Sequence, residues 1–257
     1  MKEIIFAIIL GIVQGLTEFL PISSSGHLML LQEIFGITQN NLFLSVMLHL
    51  GTLLAVVIYY FKDLVGLLKP QNHKGIWLLF VATLPSAIAG LLLEDFISTK
   101  FKNIYLCFGF LFTALLLLLA DYIYKKRQVK KELNSLCALT MGFGQCIALF
   151  PAISRSGTTI SFGMIFGADK SKCANFSFLL SIPIILGSVV LEFFKINDFS
   201  VSIPSIMCGI IASFFAGLFS IKVMLKFVKG NNFKWFIIYL FALSAINFAN
   251  YFIYPIW

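Results

Sequence analysis

Charged residues are scarce in this chain: Asp, Glu, Lys and Arg make up 12% of its 257 residues, against about 25% in soluble proteins. With 60% of residues hydrophobic, 29 phenylalanines and a mean hydropathy of +0.96, a soluble domain could not bury the apolar surface. Hydrocarbon is the expected solvent. Cysteine is sparse too. Cys107, Cys137, Cys146, Cys173 and Cys208 are scattered, mostly in apolar segments, without the spacing of a metal site or a disulfide framework. They read as small buried hydrophobes. A cleaved leader is not expected, because Gln14, Glu18 and Pro21 interrupt the first apolar run and no small-x-small site follows. Nor does the net charge of +8 point to nucleic acid. The lysines sit between apolar runs, where membrane orientation accounts for them.

What the chain has in abundance is long apolar runs. A spanning helix needs about 20 mostly apolar residues. Six windows qualify, at about residues 42–61, 76–93, 104–124, 174–194, 205–225 and 233–254. Two more stretches, 4–32 and 134–169, are broken midway by Pro and Ser/Gly, and at 29 and 36 residues they fall short of two full crossings. Each therefore crosses once or returns as a hairpin. If both return, one face collects fourteen Lys/Arg and the other has Lys2, Lys100, Lys102 and Lys195, with Arg155 inside the second hairpin. If both cross, the split is ten against eight. Cytoplasmic loops carry the Lys/Arg excess, so hairpins are expected, with both termini outside the cytoplasm. The run KKRQVKK, residues 125–131, is then a solvated cytoplasmic anchor.

The expected fold class is all-α integral membrane, with six transmembrane helices plus two re-entrant helical hairpins in a single polytopic domain. Halves 1–124 and 134–257 each hold one hairpin and three crossings. Three is odd, so the halves start on opposite sides and form an inverted-topology repeat. In such repeats the site forms where the broken segments meet.

Those broken segments are polar: VQGLTEFLPISSSGHLML at 13–30 and FGQCIALFPAISRSGTTIS at 143–161. Gln14 and Glu18 are four apart and share a helix face, while Gly11 and Gly15 allow close backbone packing. After Pro21, Ser23, Ser24, Ser25 and Gly26 open a new helix, whose free N–H groups suit an anion. His27 lies just inside it and can exchange protons near neutral pH. After Pro151, Ser154, Arg155, Ser156, Gly157 and Thr159 repeat the pattern with an arginine, which is costly at membrane depth and marks function. Its planar fork suits phosphate. Gln14 and Glu18 offer hard oxygens to Mg²⁺ or Ca²⁺. Together these are the parts phosphoryl transfer requires.

Plainer readings compete. Glu18 could merely pair with Arg155, Gln14 could be structural, and Ser23 and Ser25 could only cap a helix. His49 reads as packing or hydrogen-bonding within its span, His73 as exposed, Glu192 as an interfacial residue, and the phenylalanines as lipid-facing or packing.

QGLTEFLPISSSGH and PAISRSGTT resemble the two signatures of the bacterial undecaprenyl-diphosphate phosphatases, also known as bacitracin-resistance proteins, and length and segment pattern extend the resemblance over the whole chain. The resemblance implies hydrolysis of undecaprenyl diphosphate to undecaprenyl phosphate and inorganic phosphate with a divalent cation, Mg²⁺ or Ca²⁺. That activity recycles the carrier for cell-wall synthesis and opposes bacitracin. It also implies Glu18 as metal or base residue, Ser24 as active-site serine, His27 as essential histidine and Arg155 as phosphate-binding arginine. Ser154, Ser156 and Thr159 complete the second signature, with Ser23, Ser25, Gly26 and Gly157 beside the substrate. Two positions depart from it. Ala152 stands where the signature has Gly, narrowing backbone freedom, and Gln14 takes the uncharged option, which predicts weaker cation binding than a Glu–Glu pair.

One headgroup is expected between the Arg155 guanidinium and the His27 imidazole, in a pocket open to the extracytoplasmic side, with the polyprenyl tail in lipid. The attacking oxygen is Ser24 or a water activated by His27. Expected partners are the polyprenyl diphosphate and membrane lipids, without nucleic acid; a homodimer is left open. The different-class alternative is a transporter or flippase of an anionic polyprenyl phosphate lipid, since inverted repeats with broken helices also build transporters. Acid-phosphatase-like lipid phosphatases are excluded: they require a histidine where Ser161 stands.

Overall fold

The computed structural model describes residues 1–35, 42–69, 72–100, 105–127, 132–193, 202–230 and 232–252. Among them the regular structure is helical: α1 (Lys2–Phe19), α2 (Ser24–Ile34), α3 (Leu42–Tyr59), α4 (Phe61–Leu67), α5 (His73–Lys100), α6 (Leu106–Lys126), α7 (Ser135–Ile147), α8 (Arg155–Ile165), α9 (Lys170–Phe193), α10 (Ile203–Lys229) and α11 (Lys234–Phe252). Lys102, Lys130, Lys131 and Lys195 of the charge count lie outside the described residues, as do the side chains of Lys100 and Glu192.

Five of these helices, α5, α6, α9, α10 and α11, are long and apolar enough to cross a membrane. The sixth window bends by 72° between α3 and α4, and counting that pair as one span makes six. Their outward faces carry large apolar side chains, among them Phe80, Phe108, Phe215 and Phe219. The chain is a multi-pass membrane protein. The two broken stretches become the helix pairs α1–α2 and α7–α8, each pair packed together.

Lipid tails are as apolar as leucine, so helices in a bilayer are held by close packing and hydrogen bonds. The longest contact, α1 along α10, is built from small residues. A Cβ on Gly15 would stand 2.5 Å from the Ser213 carbonyl oxygen, so only glycine permits that approach, and Ser220 Oγ donates to the Leu16 carbonyl at 2.8 Å. α7 lies on α5 in the same manner, with Gly142 against the Ala82 backbone. α3 packs on α9 and α10, α6 on α8 and α11. Phe19, Phe110 and Phe178 are fully buried between them, Phe19 and Phe178 edge to face at 5.4 Å. This packing brings the ends of α1 and α7 to one level in the core.

Candidate active site

α1 stops because Leu20 is extended and Pro21 follows. Ser23 then takes a left-handed φ of 69°, and its hydroxyl accepts the Gly26 N–H at 3.2 Å, capping α2. After α7 the left-handed residue is Ala152, φ 61°. Ser154 Oγ accepts the Gly157 N–H at 3.1 Å and caps α8. The signature glycine at position 152 now has its reason: alanine holds a conformation that costs an L-residue about 1–2 kcal/mol. Ser24 and Arg155 each become the first residue of their helix.

The turns touch. Ser156 Oγ donates to the Leu20 carbonyl at 2.9 Å. A Cβ on Gly26 would lie 3.1 Å from Ala152 Cα and 2.6 Å from the Phe110 ring, so this glycine is the point of closest approach. Thr113 on α6 accepts the Ser154 N–H at 3.1 Å and steadies the second turn.

Glu18 is the centre. Its Oε1 accepts from Arg155 Nη2 at 2.6 Å. Its Oε2 accepts from Ser24 Oγ at 2.5 Å and from Gln14 Nε2 at 3.0 Å. Arg155 is aimed from behind, with Nη1 donating to the Ser177 carbonyl at 3.2 Å and Thr159 Oγ1 on the Arg155 carbonyl at 2.8 Å and beside Ser177 Oγ at 2.6 Å. A cavity of about 380 Å³ opens on this cluster, lined by Glu18, Ser23, Ser24, Ser25, Ser154 and Arg155 as well as apolar Met29, Val46 and Ile185. A wall that carries both polar and aliphatic side chains suits an amphipathic ligand.

The expected residues thus divide. Gln14, Glu18, Ser24 and Arg155 form one hydrogen-bonded set. Ser23, Ser25 and Ser154 line the cavity while Ser23 and Ser154 also cap, whereas Gly26, Ser156, Gly157 and Thr159 build the turns behind it. His27 is engaged elsewhere: Nδ1 meets the Ser23 carbonyl at 2.6 Å, Nε2 meets the Tyr239 hydroxyl at 2.7 Å, and the ring stacks on Tyr239. It does not line the cavity. The imidazole beside Glu18 is that of His49, Nε2 to Oε2 3.8 Å, a residue read from sequence as packing or hydrogen-bonding within its span, and its Nδ1 stands 2.8 Å from the Ser45 carbonyl. Gln145 also lines the cavity, donating to Ser86 Oγ at 2.8 Å. A signal for it was present, since Gln145 precedes Arg155 by ten residues as Gln14 precedes Ser24. Nothing in the sequence marks His49 or Tyr239.

Among the described residues no group of three His, Cys, Asp or Glu could hold a metal ion. One carboxylate, Glu18, stands beside Gln14, whose Oε1 is buried without a partner. Because Gln14 Nε2 faces a carboxylate, which only accepts, the amide orientation is set and Oε1 is the free end. An ion completed by substrate phosphates and water fits that donor set.

Fold and site define a polytopic helical membrane protein with a buried carboxylate–arginine–serine centre. The chain belongs to the family of the bacitracin resistance protein BacA, whose sequence profile matches residues 7–246. It is 40% identical over 255 residues to an undecaprenyl-diphosphatase of Caldicellulosiruptor bescii, covering 95% of this chain and 96% of that protein. It is 41% identical over 244 residues to undecaprenyl-diphosphatase 4 of Bacillus thuringiensis, covering 93% and 94%. Undecaprenyl-diphosphatase 1 of Shouchella clausii is 38% identical, with 94% of each chain covered.

Proposed function

We infer that the protein hydrolyses undecaprenyl diphosphate to undecaprenyl phosphate and inorganic phosphate, recycling the lipid carrier for cell-wall synthesis and opposing bacitracin. The observation that carries this is the shared carboxylate: Glu18 binds both Ser24 Oγ and Arg155 Nη2. A carrier of an anion needs the arginine; it has no need of a hydroxyl held on a carboxylate.

Arg155 turns its fork to the terminal phosphate, where paired N–H donors match the oxygens. Glu18 Oε2 accepts the proton of the attacking oxygen, which is Ser24 Oγ or a water bound in its place. The attacking oxygen bonds to the terminal phosphorus as the bond from that phosphorus to the bridging oxygen breaks, and the electron pair leaves with the polyprenyl phosphate. Water attack gives inorganic phosphate directly; where Ser24 attacks, a water then hydrolyses the phosphoserine and releases inorganic phosphate. His27 acts through the turn it fastens, holding Ser24 at the start of α2. What a divalent cation on Gln14 and Glu18 supplies, when bound, is neutralisation of charge on the diphosphate.

The packing supports an inverted repeat of halves 1–124 and 134–257 with α1–α2 and α7–α8 re-entrant. α1 on α10 corresponds to α7 on α5, and α3 with α9 and α6 with α11 pair across the halves. Together with the Lys/Arg count, this reading puts both termini and the mouth of the cavity on the extracytoplasmic side of the bacterial cytoplasmic membrane, with the polyprenyl tail between helices in lipid.

Phosphate release from undecaprenyl diphosphate by purified protein tests the reading, with Glu18→Ala as control. Wild-type protein that releases no phosphate yet moves the lipid across a vesicle bilayer would refute it.

A further inference from the structure

We propose that His49 is the imidazole that touches the substrate, its Nε2 meeting an oxygen of the terminal phosphate. The proposal rests on the phosphatase reading and adds to it a binding group that the signatures do not contain.

Three histidines are available, and geometry separates them. His73 begins α5. His27 has both ring nitrogens occupied, by Ser23 and Tyr239, and lies off the cavity wall. His49 lines the cavity, with 29% of its side chain exposed against 7% for Glu18. Its ring is oriented from its own helix: Nδ1 stands 2.8 Å from the Ser45 carbonyl. A carbonyl only accepts, so Nδ1 carries a hydrogen, and Nε2 is left to face the cavity. The 3.8 Å between Nε2 and Glu18 Oε2 is within ion-pair range and beyond a hydrogen bond, so Nε2 is held near the carboxylate without being used up by it. The helix itself cannot roll. A Cβ on Gly51, two residues on, would lie 2.5 Å from the Ile210 carbonyl oxygen, which locks the face of α3 against α10.

The position of the ring gives His49 its task. Among the described residues lining the cavity, His49 is the one imidazole, and it stands on the same wall as Glu18 and Arg155. A phosphate group seated on Arg155 comes within reach of Nε2, which forms a hydrogen bond with one of its oxygens.

The two ring nitrogens can be tested separately. In His49→Gln the amide nitrogen reaches about where Nε2 stands; in His49→Asn it reaches about where Nδ1 stands and restores only the Ser45 bond. His49→Ala restores neither. With undecaprenyl diphosphate, KM is expected to rise about tenfold in His49→Ala and His49→Asn, with kcat changed less than about threefold, and to return within about threefold of wild type in His49→Gln. The inhibition constant of inorganic pyrophosphate should follow the same order. Rescue by Asn and not Gln, equal impairment of all three, or all three within about twofold of wild type would each overturn the proposal, the first by assigning His49 to helix structure alone. Wild type and Glu18→Ala run alongside. An active wild type and a silent Glu18→Ala leave the phosphatase reading standing whatever His49 does, whereas a silent wild type removes the reading itself.

Discussion

After α1 the chain turns through Ser23 at φ 69°, and after α7 through Ala152 at φ 61°. In both, a serine two residues before another serine accepts a glycine N–H three positions on and caps the helix that follows. At the helix starts, Ser24 opens one and Arg155 the other. Yet the left-handed residue is the cap itself in the first turn and lies two positions ahead of the cap in the second, so the paths into the two caps differ. The chemistry differs more. The first pair contributes the carboxylate, with Gln14 and Ser24 hydrogen-bonded to it; the second contributes the guanidinium, with Gln145 and Ser154 on the cavity wall. A turn that frees backbone N–H groups is a general device, and the side chains placed beside it decide what it does. Separate turns keep Glu18 and Arg155 apart along the chain by 137 residues while Ser156 and Leu20 bolt them together.

The largest effect should come from removing either charged half of that division. Glu18→Ala and Arg155→Ala are each expected to lower kcat/KM for phosphate release by about 10³-fold or more. Because the two act as a unit, the double variant should fall no more than about tenfold below the worse single. Losses that multiply instead would separate the turns functionally.

Ser24→Ala keeps the Ser23 cap and removes one partner of Glu18 Oε2, so a fall of about 10²-fold in kcat/KM is expected with little change in KM. A phosphorylated enzyme trapped in wild type and missing from this variant would assign the attacking oxygen to Ser24. Gln14→Glu tests the amide that the first turn uses beside its carboxylate. The cation concentration giving half-maximal activity should drop about tenfold, one added charge being worth on the order of 1 kcal/mol or more in a partly screened site. An unchanged half-saturation would show that Gln14 does not meet the cation.

The smallest effect sharpens the backbone contrast. Ala152→Gly relieves the left-handed alanine but frees the unfolded chain, for a net stabilisation of about 1 kcal/mol read as resistance to thermal or denaturant unfolding. Ser23→Gly gains the same relief but loses the bond to the Gly26 N–H, so its net change should be within a few tenths of 1 kcal/mol. Equal gains at both positions would mean that the cap contributes nothing.

Much of this was legible in the sequence. The described parts of the six apolar windows became helices or the bent α3–α4 pair, because length and hydropathy are local properties that a bilayer reads directly. The i, i+4 spacing of Gln14 and Glu18 became a 3.0 Å hydrogen bond, and Gly15 became a point of backbone contact with α10. His27 shows the limit. The signature predicts an imidazole beside the reacting set, and no local pattern announces that its nitrogens meet Ser23 and Tyr239. His49, alone in an apolar helix, carried no pattern, and it is the one that stands beside Glu18.

By itself the sequence determined the medium, the helices, the two breaks and the polar inventory at each break, since composition, periodicity and capping act over a few residues. Only the tertiary structure decided which histidine faces the cavity and which is tied to α11. That choice depends on the rotation of α3 and the approach of Tyr239, both set by steric fit among helices distant in sequence, where no local preference reaches.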